Sequence, residues 1–426
     1  MTTAERLRAA FSPDRVRYRN FPDEYAREDY DRAIERYVAQ ASRTPGVLGI
    51  GRFGNVTAPG ISDIDLVVVT EETLSAGARS ALSIEGLSEA DRNLFMHEPA
   101  IVPADGIGHV CEHLDVPAVD SIWGTVPAPP APGQAERRWH ELAILMEWLG
   151  CFCKFFGEIA SLELSNVRWA LPVLHSMRYS TKLAAAFLGE APNAWTDYPV
   201  RVAALRSEWF SLPSDAVRAE RLAEALAEGW FVTADLCVRL DRWIGSEGLL
   251  PSSAAPGQWR IYSYAPAMFA IAAGHDSADQ MVARALDLAA WDGLAAARRL
   301  QRIRRRVAPS WSVVPRFHDA FGAAAASSAP IVHRRTLRRW FGGQQIVPMV
   351  PHSPFEHYLC ARMERLERQA HFLEGNRLGF GAACSELIYS PPLEDEATDS
   401  WRRKLLLTAQ KAWGTGRARA LAQSAA

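Results

Sequence analysis

Residues 47–70 read VLGIGRFGNVTAPGISDIDLVVVT, two apolar β-forming runs on either side of a turn rich in Gly, Asn and Pro. VLGIG and IDLVVVT have the short length and β-branched content of strands, and GNVTAPG between them carries turn chemistry. Upstream, EYAREDYDRAIERYVAQAS (24–42) places apolar and aromatic residues at helical spacing, and Thr44-Pro45-Gly46 ends that pattern. The local order is therefore helix, strand, glycine turn, strand.

Asp63 and Asp65 stand at the head of the second run. Alternation of strand side chains puts both carboxylates on one face, about 7 Å apart along the chain. Side by side they repel, and burial disfavours their charged form, unless a cation neutralises them. Hard oxygen donors on a short strand suit Mg²⁺ or Mn²⁺, which bind through one or two carboxylates plus substrate phosphates. Gly49, Gly51 and Gly54 let backbone come close to a ligand and offer amide N–H groups to an anion. Metal and phosphate side by side are what phosphoryl or nucleotidyl transfer needs.

The glycine turn followed by Ser62-Asp63-Ile64-Asp65-Leu66 resembles the signature of the polymerase beta-type nucleotidyltransferase superfamily, with a likeness to its aminoglycoside-modifying members, over residues 25–105. The resemblance implies a small mixed sheet with flanking helices and two Mg²⁺ ions on the paired aspartates. It implies transfer of a nucleoside monophosphate from an NTP such as ATP to an acceptor hydroxyl, with pyrophosphate leaving. Asp63 and Asp65 would then be metal ligands and catalytic groups, Gly51 and Gly54 would hold the triphosphate, and Ser62 would order the turn into the strand.

Two positions depart from that pattern. Arg52 stands where the family has Ser or Gly; a guanidinium either pairs with phosphate bidentately or blocks the pocket. The third carboxylate, which would act as general base or complete a metal site, is assigned first to Glu98, then to Asp105, with Asp115 and Asp120 as further candidates. Glu98 is preferred because LFMHEPAIVP (94–103) reads as a third strand, confined by Pro99 and Pro103 to an edge or a short length.

GTVPAPPAPGQ (124–134) is the clearest linker in the chain, with the composition of an extended polyproline-like segment. At 426 residues the chain exceeds the size at which one core stops growing. The expected organisation is α+β: a nucleotidyltransferase domain over 1–123, the linker over 124–134, and a larger all-α domain over 135–426 with room for two sub-bundles. Beyond the linker, AERRWHELAILMEWLGCFCKFFGEIASLEL, AVRAERLAEALAEGWFVTADLCVRLDRWI and SADQMVARALDLAAWDGLAAARRLQRIRRRV all carry apolar residues three and four apart, and strand signals are rare. That domain would supply acceptor specificity. The last stretch, from Trp401, starts as a helix and is expected to fray.

A formal net charge of −2 gives no global reason to expect nucleic acid or an anionic membrane as partner. RRLQRIRRR (298–306) and HRRTLRRW (333–340) are local basic clusters, more simply read as solvated helix faces than as RNA contacts. The most apolar segment, 142–157, is interrupted by Glu147 and Lys154, and no signal-peptide pattern occurs, so a cytoplasmic protein is expected. Six cysteines in a chain of this length read as reduced core fillers, Cys151 and Cys153 included. HVCEH (109–113) lacks the spacing of a zinc site, and His352 and His357 are surface candidates of the same kind. The leading reading is a metal-dependent nucleotidyltransferase acting on a small-molecule hydroxyl. Its alternatives are a degenerate, non-catalytic binding or regulatory protein and an RNA-directed nucleotidyltransferase.

Overall fold

The computed structural model describes residues 1–249 apart from 72–73, 75, 97, 108–118 and 129–133, together with 259–264, 267–272, 277–283, 286, 354–355 and 358. The chain forms two compact units, one holding Pro22–Ile144 with Glu364–Cys384 and one holding Met1–Phe21, Leu145–Met363 and Ser385–Ala426. The architecture is α+β, with helices and a small mixed sheet. The division departs from the expected boundaries: the first 21 residues belong with the helices rather than with the sheet.

In the sheet unit, α2 (Arg27–Ala41) buries Tyr30, Ala33, Tyr37 and Ala41, the three-and-four spacing of a single helix face. Strand β2 (Val47–Phe53) follows after Gly46, whose φ of 85° lies in the left-handed region. It runs two residues past the expected VLGIG, so Arg52 and Phe53 are strand residues rather than turn residues. Strand β3 (Asp65–Thr70) pairs antiparallel with β2, and β5 (Asp120–Gly124) pairs antiparallel on the other side of β2. Strand β4 (Ala100–Pro103) pairs parallel with β3, giving the order β4-β3-β2-β5.

The expected strand over 94–103 is shorter than read. Leu94 and Phe95 finish a helix, α4 (Glu89–Phe95), because Ser88 caps it by accepting from the Asp91 N–H at 3.2 Å. Met96 then turns the chain at φ 59°, and only Ala100–Pro103 is extended, at an edge as the prolines require. Between β3 and α4 lie a short helix, α3 (Ala76–Ala81), and a 3-10 turn, Ile84–Gly86.

The sheet has two faces with separate apolar clusters. Ile50, Leu66 and Val68 pack with Tyr30, Ala33 and Tyr37 on the α2 side, while Val67, Val69 and Val102 pack with Phe53, Val119 and Val126 on the other. Gly51 is needed for this second cluster: a Cβ there would stand 2.2 Å from Val119 Cγ1.

In the helical unit, α1 (Thr3–Phe11) opens on a capping box in which Thr2 Oγ1 accepts from the Glu5 N–H and Glu5 Oε2 accepts from the Thr2 N–H. A long helix, α5 (Gln134–Leu162), begins inside the expected linker at its last residue, and its part from Leu145 belongs to this unit. It is followed by α6 (Val167–Leu188), α7 (Asn193–Glu208) and α8 (Asp215–Ser246). Asn166 caps α6 through the Trp169 N–H and Gly189 ends it at φ 67°. The core is aromatic: Trp230 stacks on Phe156 with ring centres 6.2 Å apart and meets Phe11 edge-on at 5.7 Å. Trp195, Trp209 and Trp230 are fully buried.

Two strand pairs were not expected. Strand β1 (Arg17–Arg19) pairs parallel with β6 (Leu164–Asn166), and β7 (Trp259–Tyr264) pairs antiparallel with β8 (Ala267–Ala272). Strands β1 and β6 have three residues each, which leaves no periodicity in the sequence to read. Cys153 and Cys237 are buried core thiols 3.8 Å apart between α5 and α8. The bond to Cys153 and burial push the Cys237 thiol up, which keeps it protonated.

Candidate functional site

The register of β2 on β3 fixes which side chains share a face. Phe53 lies opposite Asp65, Arg52 opposite Leu66, and Gly51 opposite Val67. Asp65 is therefore on the face of Phe53 and Val67, and Arg52 is on the α2 face with Ile50 and Leu66. Asp63 precedes the strand, and burial alternates from half-buried Asp63 through buried Ile64 to half-buried Asp65. Both residues are thus half-buried at the head of β3, on either side of a buried Ile64.

Gly54 ends β2 with φ 76°, and a Cβ built there would come within 3.2 Å of the Asp65 carboxylate. The close approach that the sequence assigned to the glycines generally belongs to this one. Gly51 lies inside the strand, flanked by Val67 and Ser121 in the ladders, and its missing side chain makes room for Val119. Its place inside β2 gives it a packing role.

The loop from Gly54 to Ser62 is held from inside. Ser62 is buried, and its Oγ accepts from the Thr57 and Ala58 N–H groups at 3.2 and 3.1 Å. Ser62 orders the turn as the sequence suggested. Tyr30, unremarked in the sequence except as an apolar helix position, does the larger share. Its phenol donates to the Ser62 carbonyl at 2.6 Å and accepts from the Gly60 N–H at 2.9 Å. The signal available was an aromatic residue with a polar tip on a buried helix face. Arg27 adds a bond from Nη1 to the Val56 carbonyl at 3.3 Å, and the Ile64 N–H donates to the Leu94 carbonyl at 3.0 Å. The strand head carrying Asp63 and Asp65 is thereby fixed at both ends.

Glu98 is not brought to the aspartates. The parallel register places Ala100 opposite Val67, so the Glu98 backbone falls level with Asp65. Its carboxylate, however, accepts from Ser83 Oγ at 2.7 Å and from the Ile84 N–H at 2.9 Å. Ile84 belongs to the α2-side cluster, and the Tyr37 phenol of that cluster is pushed up by burial and then by the Glu98 charge. Glu98 thus caps the 3-10 turn on the face opposite Asp65. Asp105 is exposed in the turn after β4, and Asp120 is exposed across from Arg52 on the α2-side face.

Arg52 is partly buried, and its Nε makes no hydrogen bond among the described residues. The alternatives of phosphate contact and blockage both place it beside Asp65, and its register puts it behind the sheet instead. Asp115, HVCEH, His352, His357 and both arginine clusters lie outside the described residues.

Two carboxylates and a glycine-lined approach match the donor set of Mg²⁺, which takes its remaining oxygens from phosphate and water. Among the described residues no three His, Cys, Asp or Glu side chains gather into a metal-binding group. No helix among them is long and apolar enough to cross a membrane. Comparison of the whole chain with protein-family models, with curated proteins and with solved structures finds no match to any of them.

Proposed function

We propose that the protein is a metal-dependent nucleotidyltransferase whose N-terminal domain moves a nucleoside monophosphate from an NTP to an acceptor hydroxyl, with acceptor choice made by the helical domain. The observation that carries this reading is Asp65 lying over Gly54 at the head of β3, with Asp63 two residues before it at a half-buried rim. Bound Mg²⁺ supplies charge neutralisation of the triphosphate and of the leaving pyrophosphate. Asp63 and Asp65 would hold it, the Gly54–Gly60 loop would present backbone to the phosphates, and Tyr30 and Ser62 would keep that loop in place.

A non-catalytic reading draws on a different observation, the engagement of both Glu98 oxygens away from the aspartates. Calorimetric titration with each NTP in Mg²⁺, followed by turnover assays with labelled NTP and candidate acceptors, separates the two. Nucleotide binding with turnover is expected. Asp63→Asn and Asp65→Asn should each lower turnover at least about a hundredfold with an unchanged unfolding midpoint. Binding without turnover selects the non-catalytic reading, and absence of Mg²⁺-dependent NTP binding removes both.

A further inference from the structure

Two of the six cysteines meet in the core of the helical unit. Cys153 of α5 and Cys237 of α8 are 84 positions apart in the chain, and their sulfurs are 3.8 Å apart. They are 2% and 0% exposed, and one thiol donates to the other. The two helices are held close beside them. Phe156, three residues after Cys153, stacks on Trp230, and the missing side chain of Gly229 leaves it room: a Cβ there would stand 2.9 Å from Phe156 Cζ. Trp230 and Gly229 lie seven and eight residues before Cys237, on the same helix face. The α5–α8 contact therefore has an aromatic point and a sulfur point two turns apart.

A small apolar residue fills a core position as well as a thiol does, but only two thiols in contact can be joined. A disulfide holds its sulfurs about 2.05 Å apart, so closure asks for about 1.8 Å of approach, the scale of side-chain rotation rather than of helix displacement. Both sulfurs are sealed from water, so a small oxidant reaches them when the α5–α8 contact opens locally. The Cys153 bond and then burial hold the Cys237 thiol protonated in the closed state, which suits the pair to sustained rather than brief oxidation.

We propose that Cys153 and Cys237 form a redox latch, which a hydroperoxide closes into a disulfide between α5 and α8. One sulfur, deprotonated in the opened state, attacks a peroxide oxygen: the S–O bond forms, the O–O bond breaks, and the departing hydroxide takes a proton and leaves as water. The second sulfur then displaces the hydroxyl of the sulfenic acid, so that the S–S bond forms, the S–O bond breaks and a second water leaves. The two sulfurs together lose two electrons, one hydrogen peroxide is reduced to two waters, and both thiol protons end in those waters. Helix α5 is the element on which the chain passes from the sheet unit into the helical unit, and the latch ties it to α8. Joining residues 84 positions apart restricts the unfolded chain, so the closed latch stabilises the fold. It uses none of the residues of the nucleotidyl site.

The full-length protein is incubated under native conditions with hydrogen peroxide, its remaining thiols are blocked, and non-reducing peptide maps are read by mass spectrometry. A peptide pair joining Cys153 to Cys237 is expected, absent from untreated protein and lost on treatment with dithiothreitol. The oxidised protein should unfold at a higher urea concentration than the reduced protein, and dithiothreitol should cancel the difference, as it would not for oxidised methionine. Cys153→Ala and Cys237→Ala should each lack both the cross-link and the shift. A cavity at either position lowers the stability of the variant itself, so the shift is read between oxidised and reduced samples of the same protein. Absence of the Cys153–Cys237 peptide pair, its appearance only in urea-unfolded protein, or an unfolding midpoint that oxidation does not raise overturns the latch. A shift that persists in either alanine variant overturns it as well.

Discussion

In the sheet unit the buried phenols both reach backbone, Tyr30 to the Ser62 carbonyl at 2.6 Å and Tyr37 to the Leu82 carbonyl at 2.8 Å. Asp91, also buried, takes a bidentate hold on Arg36 and a bond from Ser88 Oγ, and the Arg36 bond holds its carboxyl below the usual range. In the helical unit, Ser165 Oγ, His175 Nδ1, Trp209 Nε1 and Thr233 Oγ1 are buried with no hydrogen-bond partner among the described residues, whereas in the sheet unit Arg52 Nε shares that state beside these satisfied groups. The sheet unit has short elements and small clusters, so its shape depends on polar ties that fix loops. The helical unit has long helices and an aromatic core whose burial tolerates isolated polar atoms.

The sharpest test of the first half of that contrast is Gly49→Ala. A Cβ at this position would stand 2.2 Å from the Thr125 carbonyl oxygen, a backbone atom that cannot rotate aside. The β2–β5 ladder has to open to admit it, and a loss of about 3 kcal/mol or more is expected by denaturant titration. A near-neutral outcome would mean that β5 is not held as the ladder shows.

The next test sets equivalent changes in the two units against each other. Tyr30→Phe removes one hydroxyl and strands the buried Gly60 N–H and Ser62 carbonyl, so a loss of about 1–3 kcal/mol is expected. Thr233→Val removes a buried hydroxyl that satisfies nothing, and its expected effect is neutral to about 1 kcal/mol stabilising. Equal losses from both substitutions, measured as unfolding free energies, would erase the difference between the units.

The same contrast explains what could be read in advance. Helix α2, both central strands and the position of Asp65 at the head of the second strand follow from spacing and alternation, which are local. The face of Arg52 was equally local, and it was missed because β2 was ended at Gly51 instead of Phe53. Glu98 was chosen on strand position, whereas its carboxylate is placed by Ser83 and Ile84, fifteen and fourteen residues earlier in the chain. Arg206 of α7 is buried, and an arginine reads in sequence as a solvated helix position whether or not it is buried. Contacts between distant segments leave no period, so the polar ties became visible only in the fold.

The smallest effect expected comes from His175, and its sign tests whether the helical unit does bury this imidazole uncharged. Its ordinary value is 6.5 and the folded value is about 3, lowered by burial first and then by Arg206 and Arg178. Between those values the unfolded chain takes up a proton that the folded chain refuses, so stability falls as pH drops from 6.5 toward 3 and is unaffected above. His175→Gln lacks this proton. From about pH 7 to about pH 5 the wild type should lose up to about 1 kcal/mol more unfolding free energy than the variant, once solvent screening is allowed for. Carboxylates titrate in both proteins, so the difference between the two pH profiles isolates the imidazole. Identical profiles would place His175 in water, and a wild type that gains stability on acidification would place a carboxylate beside it.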